Sequence, residues 1–255
     1  MRRTLIGILV FMALTQLAFG FDHQHSKWDE TLKLYRNPQG LVAYGKLKEH
    51  ANSNDKLAFN AYLSELQSVS EADYKSWQAP QQKAFLINAY NALTVKLIID
   101  HYPITSIKKI GGFMAKPWTV KFFSLLGGKI VKLDPIEHDY LRPEFKDYRI
   151  HAAVNCASKS CPILRGEAYV PEKLEAQLDE QMKLWLNDTS RNSFDETSGV
   201  IKISRIFDWY EKDFDRWGGG VREVLRRYGP PSALKAIDKK GKIEYQDYDW
   251  SLNEP

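Results

Sequence analysis

Apolar positions recur along this chain with two different periods, and the switches between them mark the elements. "WDETLKLY" has helical spacing, and "NDKLAFNAYLSELQSV" sets Leu57, Phe59, Tyr62 and Leu66 on one face, which predicts a second helix. "APQQKAFLINAYNALTVKLIIDHYP" carries the strongest helical signal. Pro80 suits its first turn, Pro103 lies just past its end, and Phe85 to Ile99 is apolar on nearly every side. A helix without a polar face has to be buried. "PEKLEAQLDEQMKLWLND" is amphipathic, the pattern of a surface helix. Elsewhere the pattern is that of extended chain. "GLVAYGKLK" alternates and predicts a short strand, and two apolar runs around Gly127-Gly128 predict a hairpin. Asp134-Pro135 then suits a helix start, "RIHAAVNC" reads as a buried strand, and "GVIKISRIFDWYEKDF" reads as a strand entering a helix. The end, "GKIEYQDYDWSLNE", returns to short extended structure. The expected class is α+β, with a central buried helix packed on a mostly antiparallel sheet and flanked by further helices.

The first twenty residues stand apart. Arg2 and Arg3 precede the apolar run "TLIGILVFMALTQLAF", and Ala18 and Gly20 supply small residues at signal-cleavage spacing. This predicts a secretory signal over 1–20, a periplasmic or secreted protein, and no stable membrane span once the signal is removed. Residues 21–255 are then expected to form one domain, since 44% of the 255 residues are hydrophobic and can build a sizeable core. The formal charge of +4 drops to +2 without the two arginines, so charge offers no basis for nucleic-acid binding. No cofactor is expected, and the implied partner is a small-molecule or peptide substrate.

Polar residues placed inside apolar segments are where chemistry would sit. Asn88 and Asn91 lie one turn apart in the long apolar helix, where a buried amide needs partners. They either tie loops to the core or line a site, Asn88 as an orienter or oxyanion donor and Asn91 as a binding group. The segments "AFLINAYNALT", "SIKKIGG", "DPIEHDYLR", "RIHAAVNCASKSCPIL", "ISRIFDWYEKDF" and "YDWSLN", in this order, resemble the DUF547 family over about residues 40 to 252. That resemblance implies a single α+β domain found in exported bacterial proteins. A more distant similarity to papain-like and transglutaminase-like thiol enzymes would fit a central helix against a sheet. The order differs, because here the central helix carries Asn88 and both cysteines follow the histidines.

The two cysteines, Cys156 and Cys161, have four residues between them. The pair can be a structural disulfide in an oxidising compartment, a redox couple, part of a metal site, or a nucleophile at Cys156 beside a second thiol. Family members with serine at the second cysteine position imply a role for Cys156 alone. On a straight strand His151 would lie about 16 Å from Cys156 and face the other way, so it can serve Cys156 only if the chain bends after Val154. His138 comes from another segment without that restriction. Adjacent helical residues diverge by about 100°, so Glu137 is expected to pair with Arg142 or Arg165 and not with His138. Trp118, Trp209, Tyr210, Trp217, Tyr248 and Trp250 read as core or as a ligand-binding surface. The leading expectation is a thiol-dependent hydrolase or acyl transferase for an amide, ester or thioester. Cys156 attacks, His138 is the base, His151 or Asn88 orients, and Asn91, Glu137, Cys161 and Arg165 contribute binding. The alternative is a non-enzymatic binding module with a Cys156–Cys161 disulfide.

Overall fold

The computed structural model describes residues 20–54, 56–111 and 116–255, so the signal read over 1–20 lies, Gly20 apart, outside the described residues. Helices α1 (Ser26–Tyr35), α2 (Tyr44–Ser53), α3 (Ala58–Ser68) and α4 (Glu71–Ser76) lead into α5 (Ala79–His101). The Gln81 side chain caps the entry of α5 by accepting from the Gln78 amide, and Pro80 occupies its first turn. Its residues from Lys83 to Val95 are all buried, as an all-round apolar run requires. The alternating "GLVAYGKLK" makes only one bridge, Arg36 to Val42, before α2 begins. Tyr44 and Leu47, one turn apart, are buried there, and helical burial overrides the local alternation.

The chain then turns through short elements. Leu125 and Ile130 form a single antiparallel bridge around Gly127 and Gly128, whose φ of 66° and 90° suits glycine. The expected hairpin is therefore a tight turn without full strands. α6 (Leu133–Pro135) runs into a π turn, Ile136–Leu141, and α7 (Arg142–Phe145). "RIHAAVNC" is helical at its start, not a strand: α8 (Ile150–Ala153) forms where Asp147 accepts the Arg149 amide, and the chain becomes extended at Val154. α9 (Leu174–Asn187) follows, then β1 (Ser193–Phe194), β2 (Ile201–Ile203), α10 (Ile206–Trp209), α11 (Glu211–Gly218), α12 (Val221–Tyr228), α13 (Pro231–Asp238) and β3 (Ile243–Tyr245).

The architecture is mostly helical with one small three-stranded sheet, which satisfies α+β only loosely. The sheet is mixed and not mostly antiparallel: β2 pairs antiparallel with β1 and parallel with β3. Such a parallel partner needs a long crossover, which α10 to α13 supply. Nor does α5 lie on the sheet. It packs against α2, α3, α6 and the π turn. One hydrophobic cluster gathers α1 to α5 and the segments around them, and a second joins the sheet to α10–α13. α9 links them, giving Leu174 and Leu178 to the first and Met182, Trp185 and Leu186 to the second. No described helix is long and apolar enough to cross a membrane.

Candidate functional site

The two clusters leave a cleft of about 500 Å³ between them. Tyr90, Trp118, Val154 and Trp250 belong to the first side, and Ile206, Tyr210 and Tyr248 to the second. Five of the eight residues singled out from the sequence line it: Cys156, Cys161, His138, His151 and Glu137. Of the six aromatic residues noted there, all but Trp217 line it as well.

α5 builds one wall without entering the cleft through its asparagines. Asn91 donates to the Ala153 carbonyl (2.9 Å) and accepts from the Asn155 amide (2.8 Å). Asn88 clamps Tyr169 in the same two-bonded way, at 2.7 and 3.0 Å. Both amides are buried and fully engaged with backbone, so they fix loops on the core, and neither lines the cleft. Arg165 lies elsewhere too, paired with Glu167 and Glu180 over the Tyr169 ring.

The clamp at Asn91 sets the segment that carries the cysteines. Asn155 donates onward to the Pro162 carbonyl (2.8 Å) and accepts the Ala157 amide (2.8 Å), which holds Ala157 at φ 57°. Left-handed backbone is costly for alanine, by about 1–2 kcal/mol, and side-chain bonds of this kind sustain it. The sulfurs of Cys156 and Cys161 are within disulfide distance, with Cα atoms 6.2 Å apart. Cys161 is buried and Cys156 half-buried on the cleft. The Tyr248 hydroxyl lies 3.1 Å from Cys156 Sγ and 3.3 Å from Cys161 Sγ. Burial pushes the Tyr248 phenol above its ordinary range, so it stays protonated and available as a donor.

The histidines take different positions. His151, on α8, is buried and hydrogen-bonded through Nε2 to Asp213 of α11 at 2.8 Å, with its ring stacked 3.9 Å from Tyr210. The bend that the sequence reading placed after Val154 occurs earlier, because His151 sits on a helical turn and not on a strand. Asp213 also receives Arg142 at 2.6 and 2.9 Å. Burial raises the Asp213 carboxyl, but hydrogen bonds from His151 and Arg142 outweigh it and hold the group well below the usual carboxylate range. His138 is exposed, and its Nδ1 accepts from Arg142 at 2.9 Å.

Glu137 pairs with neither Arg142 nor Arg165, contrary to expectation, because Asp213 takes the first and Glu167 and Glu180 the second. The π turn explains the difference: the Arg142 amide bonds to the Glu137 carbonyl, five residues back, so facings differ from those of an α-helix. The Glu137 carboxylate is buried, with Oε1 4.0 Å from His151 Nδ1. Burial, the charge of this carboxylate and the hydrogen bond that the Tyr210 hydroxyl donates to it push the Tyr210 phenol far upward. The residues that sequence reasoning missed are Asp213 and Tyr210's role against His151. The only available signal for Asp213 was an acidic residue beside Phe214 in "YEKDF", where Glu211 looks much the same.

No match to the chain is found among curated proteins or among solved structures. Residues 74–186 match the family model described as "Protein of unknown function, DUF547", a span holding α5, the π turn, His151 and both cysteines.

Proposed function

We propose that the cleft performs thiol-dependent hydrolysis or acyl transfer on an amide, ester or thioester, with Cys156 as nucleophile and His151 as base. The observation that carries this reading is the Asp213–His151 pair on the cleft that Cys156 also lines. An ionised carboxylate only accepts hydrogen bonds, so Nε2 donates to Asp213 and Nδ1 is the nitrogen left to take a proton. An imidazole oriented by a carboxylate, on a cleft that a thiol also lines, supplies the groups nucleophilic catalysis requires. His138 suits the base role less well, because Arg142 occupies its Nδ1. Two electrons and two protons from a dithiol reductant open the Cys156–Cys161 pair. His151 then takes the Cys156 proton, the thiolate adds to the carbonyl, and the leaving group departs with that proton. Water or a second acceptor releases the acyl group from sulfur.

The test is the mass of the folded protein after brief exposure to p-nitrophenyl acetate, with and without prior reduction. The expected outcome is one acetyl group, mapped to Cys156, only after reduction. His151→Asn and Asp213→Asn should slow its formation by about 10²–10⁴-fold. If the reduced, folded protein takes no acetyl group at Cys156, the reading fails. The second reading, a binding module with a structural Cys156–Cys161 disulfide, is favoured by the disulfide distance and the aromatic walls.

A further inference from the structure

Glu137 is buried with one carboxylate oxygen left unpartnered. The residue is 6% exposed and lines the cleft, yet Oε1 has no hydrogen-bond partner among the described residues. The Tyr210 hydroxyl donates to this carboxylate, and His151 Nδ1 lies 4.0 Å from Oε1. Arg142 is engaged by Asp213 and His138. Lys108 and Lys116 also line the cleft, but among the described residues neither forms an ion pair, and Lys108 lies 4.6 Å over the Trp250 ring. Oε1 therefore presents an unpaired acceptor to a ligand that enters the cleft.

The walls specify its chemistry. Trp118, Trp209, Tyr210 and Trp250 line the same cleft, with Trp209 and Trp250 stacked 5.7 Å apart at 21°. Aromatic faces attract cations, as the Lys108 contact with Trp250 illustrates, and they cover apolar ligand surface. A metal ion is a poor fit, since the described residues hold no group of three or more His, Cys, Asp or Glu side chains placed to ligate one. A primary ammonium brings a positive charge and three donors, which suits a buried carboxylate oxygen left without a partner. We propose that the cleft floor binds the primary ammonium group of an organic ligand at Glu137 Oε1, with the ligand's apolar body against the tryptophan walls. This stands whether the cleft catalyses or only binds.

The test compares two probes that share a ring and a two-carbon spacer, 2-phenylethylammonium and 3-phenylpropionate, by ligand-observed NMR titration of the folded protein. The ammonium probe should bind about tenfold more tightly than the carboxylate. Glu137→Gln, which keeps shape and removes charge, should weaken the ammonium probe by about tenfold, and Trp209→Ala, at a half-exposed wall position, by about threefold. Equal binding of the two probes overturns the proposal, as does no binding of the ammonium probe, or an unchanged affinity in folded Glu137→Gln. Should Glu137→Gln fail to fold by circular dichroism, the probe preference in wild type and its weakening in Trp209→Ala decide the matter. None of these readings depends on the redox state of Cys156, so failure of acetylation and failure of amine binding are separable.

Discussion

Asn91 shows what one polar side chain can do inside an apolar helix. Its two hydrogen bonds place Ala153 and Asn155, and through them the backbone that reaches Cys156. Asn91→Ala leaves a buried carbonyl and a buried amide unpaired, and the expected loss is about 2–4 kcal/mol by urea denaturation. Asn88→Ala should cost a similar amount. It should leave Cys156 acetylation unchanged, because Asn88 serves Tyr169 and lies off the cleft. Loss of acetylation in a folded Asn88 variant would give that residue a direct part in the chemistry. At this scale the sequence was legible for which polar residues matter and illegible for what they touch. The partners of Asn88 and Asn91 lie 81 and 62 residues away, a separation that periodicity does not report. Asp213 differs from the acidic residues around it only in being buried against His151, which no local pattern encodes.

Between elements, the ties are ionic as well as apolar. Lys83 of α5 pairs with Asp147, which also accepts two guanidinium nitrogens of Arg149 just ahead of α8. Burial raises the Asp147 carboxyl, but Arg149 and Lys83 outweigh it and lower the group to about 2 from 3.8. A carboxyl lowered on folding contributes stability that is complete above the unfolded value and is lost as pH falls through the folded one. Acid unfolding should therefore show a loss on the order of 2 kcal/mol between about pH 4 and pH 2. Asp147→Asn should be less stable at pH 7 and show a flatter slope in that window, measured by urea denaturation at several pH values. An unchanged slope would mean that another carboxyl dominates. Elements of this length also explain the uneven reading of the chain. α3, α5 and α9 span enough turns for their period to show. α8 is four residues long and starts on a side-chain bond from Asp147, so its apolar composition alone reads as a strand. The π turn carries no sequence mark of its own, and it is what turned Glu137 away from Arg142.

Across the whole molecule, the cleft exists because two cores meet without merging. The link through α9 is substantial: Trp185 is buried and stacked 4.6 Å from Phe207 in the second core, while Leu178 is buried in the first. Trp185→Ala should destabilise by about 3–5 kcal/mol, the range for emptying a packed aromatic site. With α9 anchoring both cores, calorimetry should show one transition, its van't Hoff and calorimetric enthalpies agreeing. Two resolved transitions in wild type would mean that the cores fold separately and that the cleft can open as a joint. The mixed sheet escaped sequence reading for a related reason: β3 reaches β2 only after four intervening helices, so its direction is a property of the whole path.

The clamps on the cysteine loop have a consequence for how the loop would respond to oxidation or reduction of its sulfurs. Asn91 secures the chain before Cys156, Asn155 ties it to Pro162, and Arg191 grips the Cys161 and Lys159 carbonyls from outside. The loop is moored at both ends by bonds that do not involve sulfur. Opening or closing the sulfur pair therefore changes what the loop can react with and leaves where it stands, so this part of the molecule can record its surroundings chemically without relaying the message as movement.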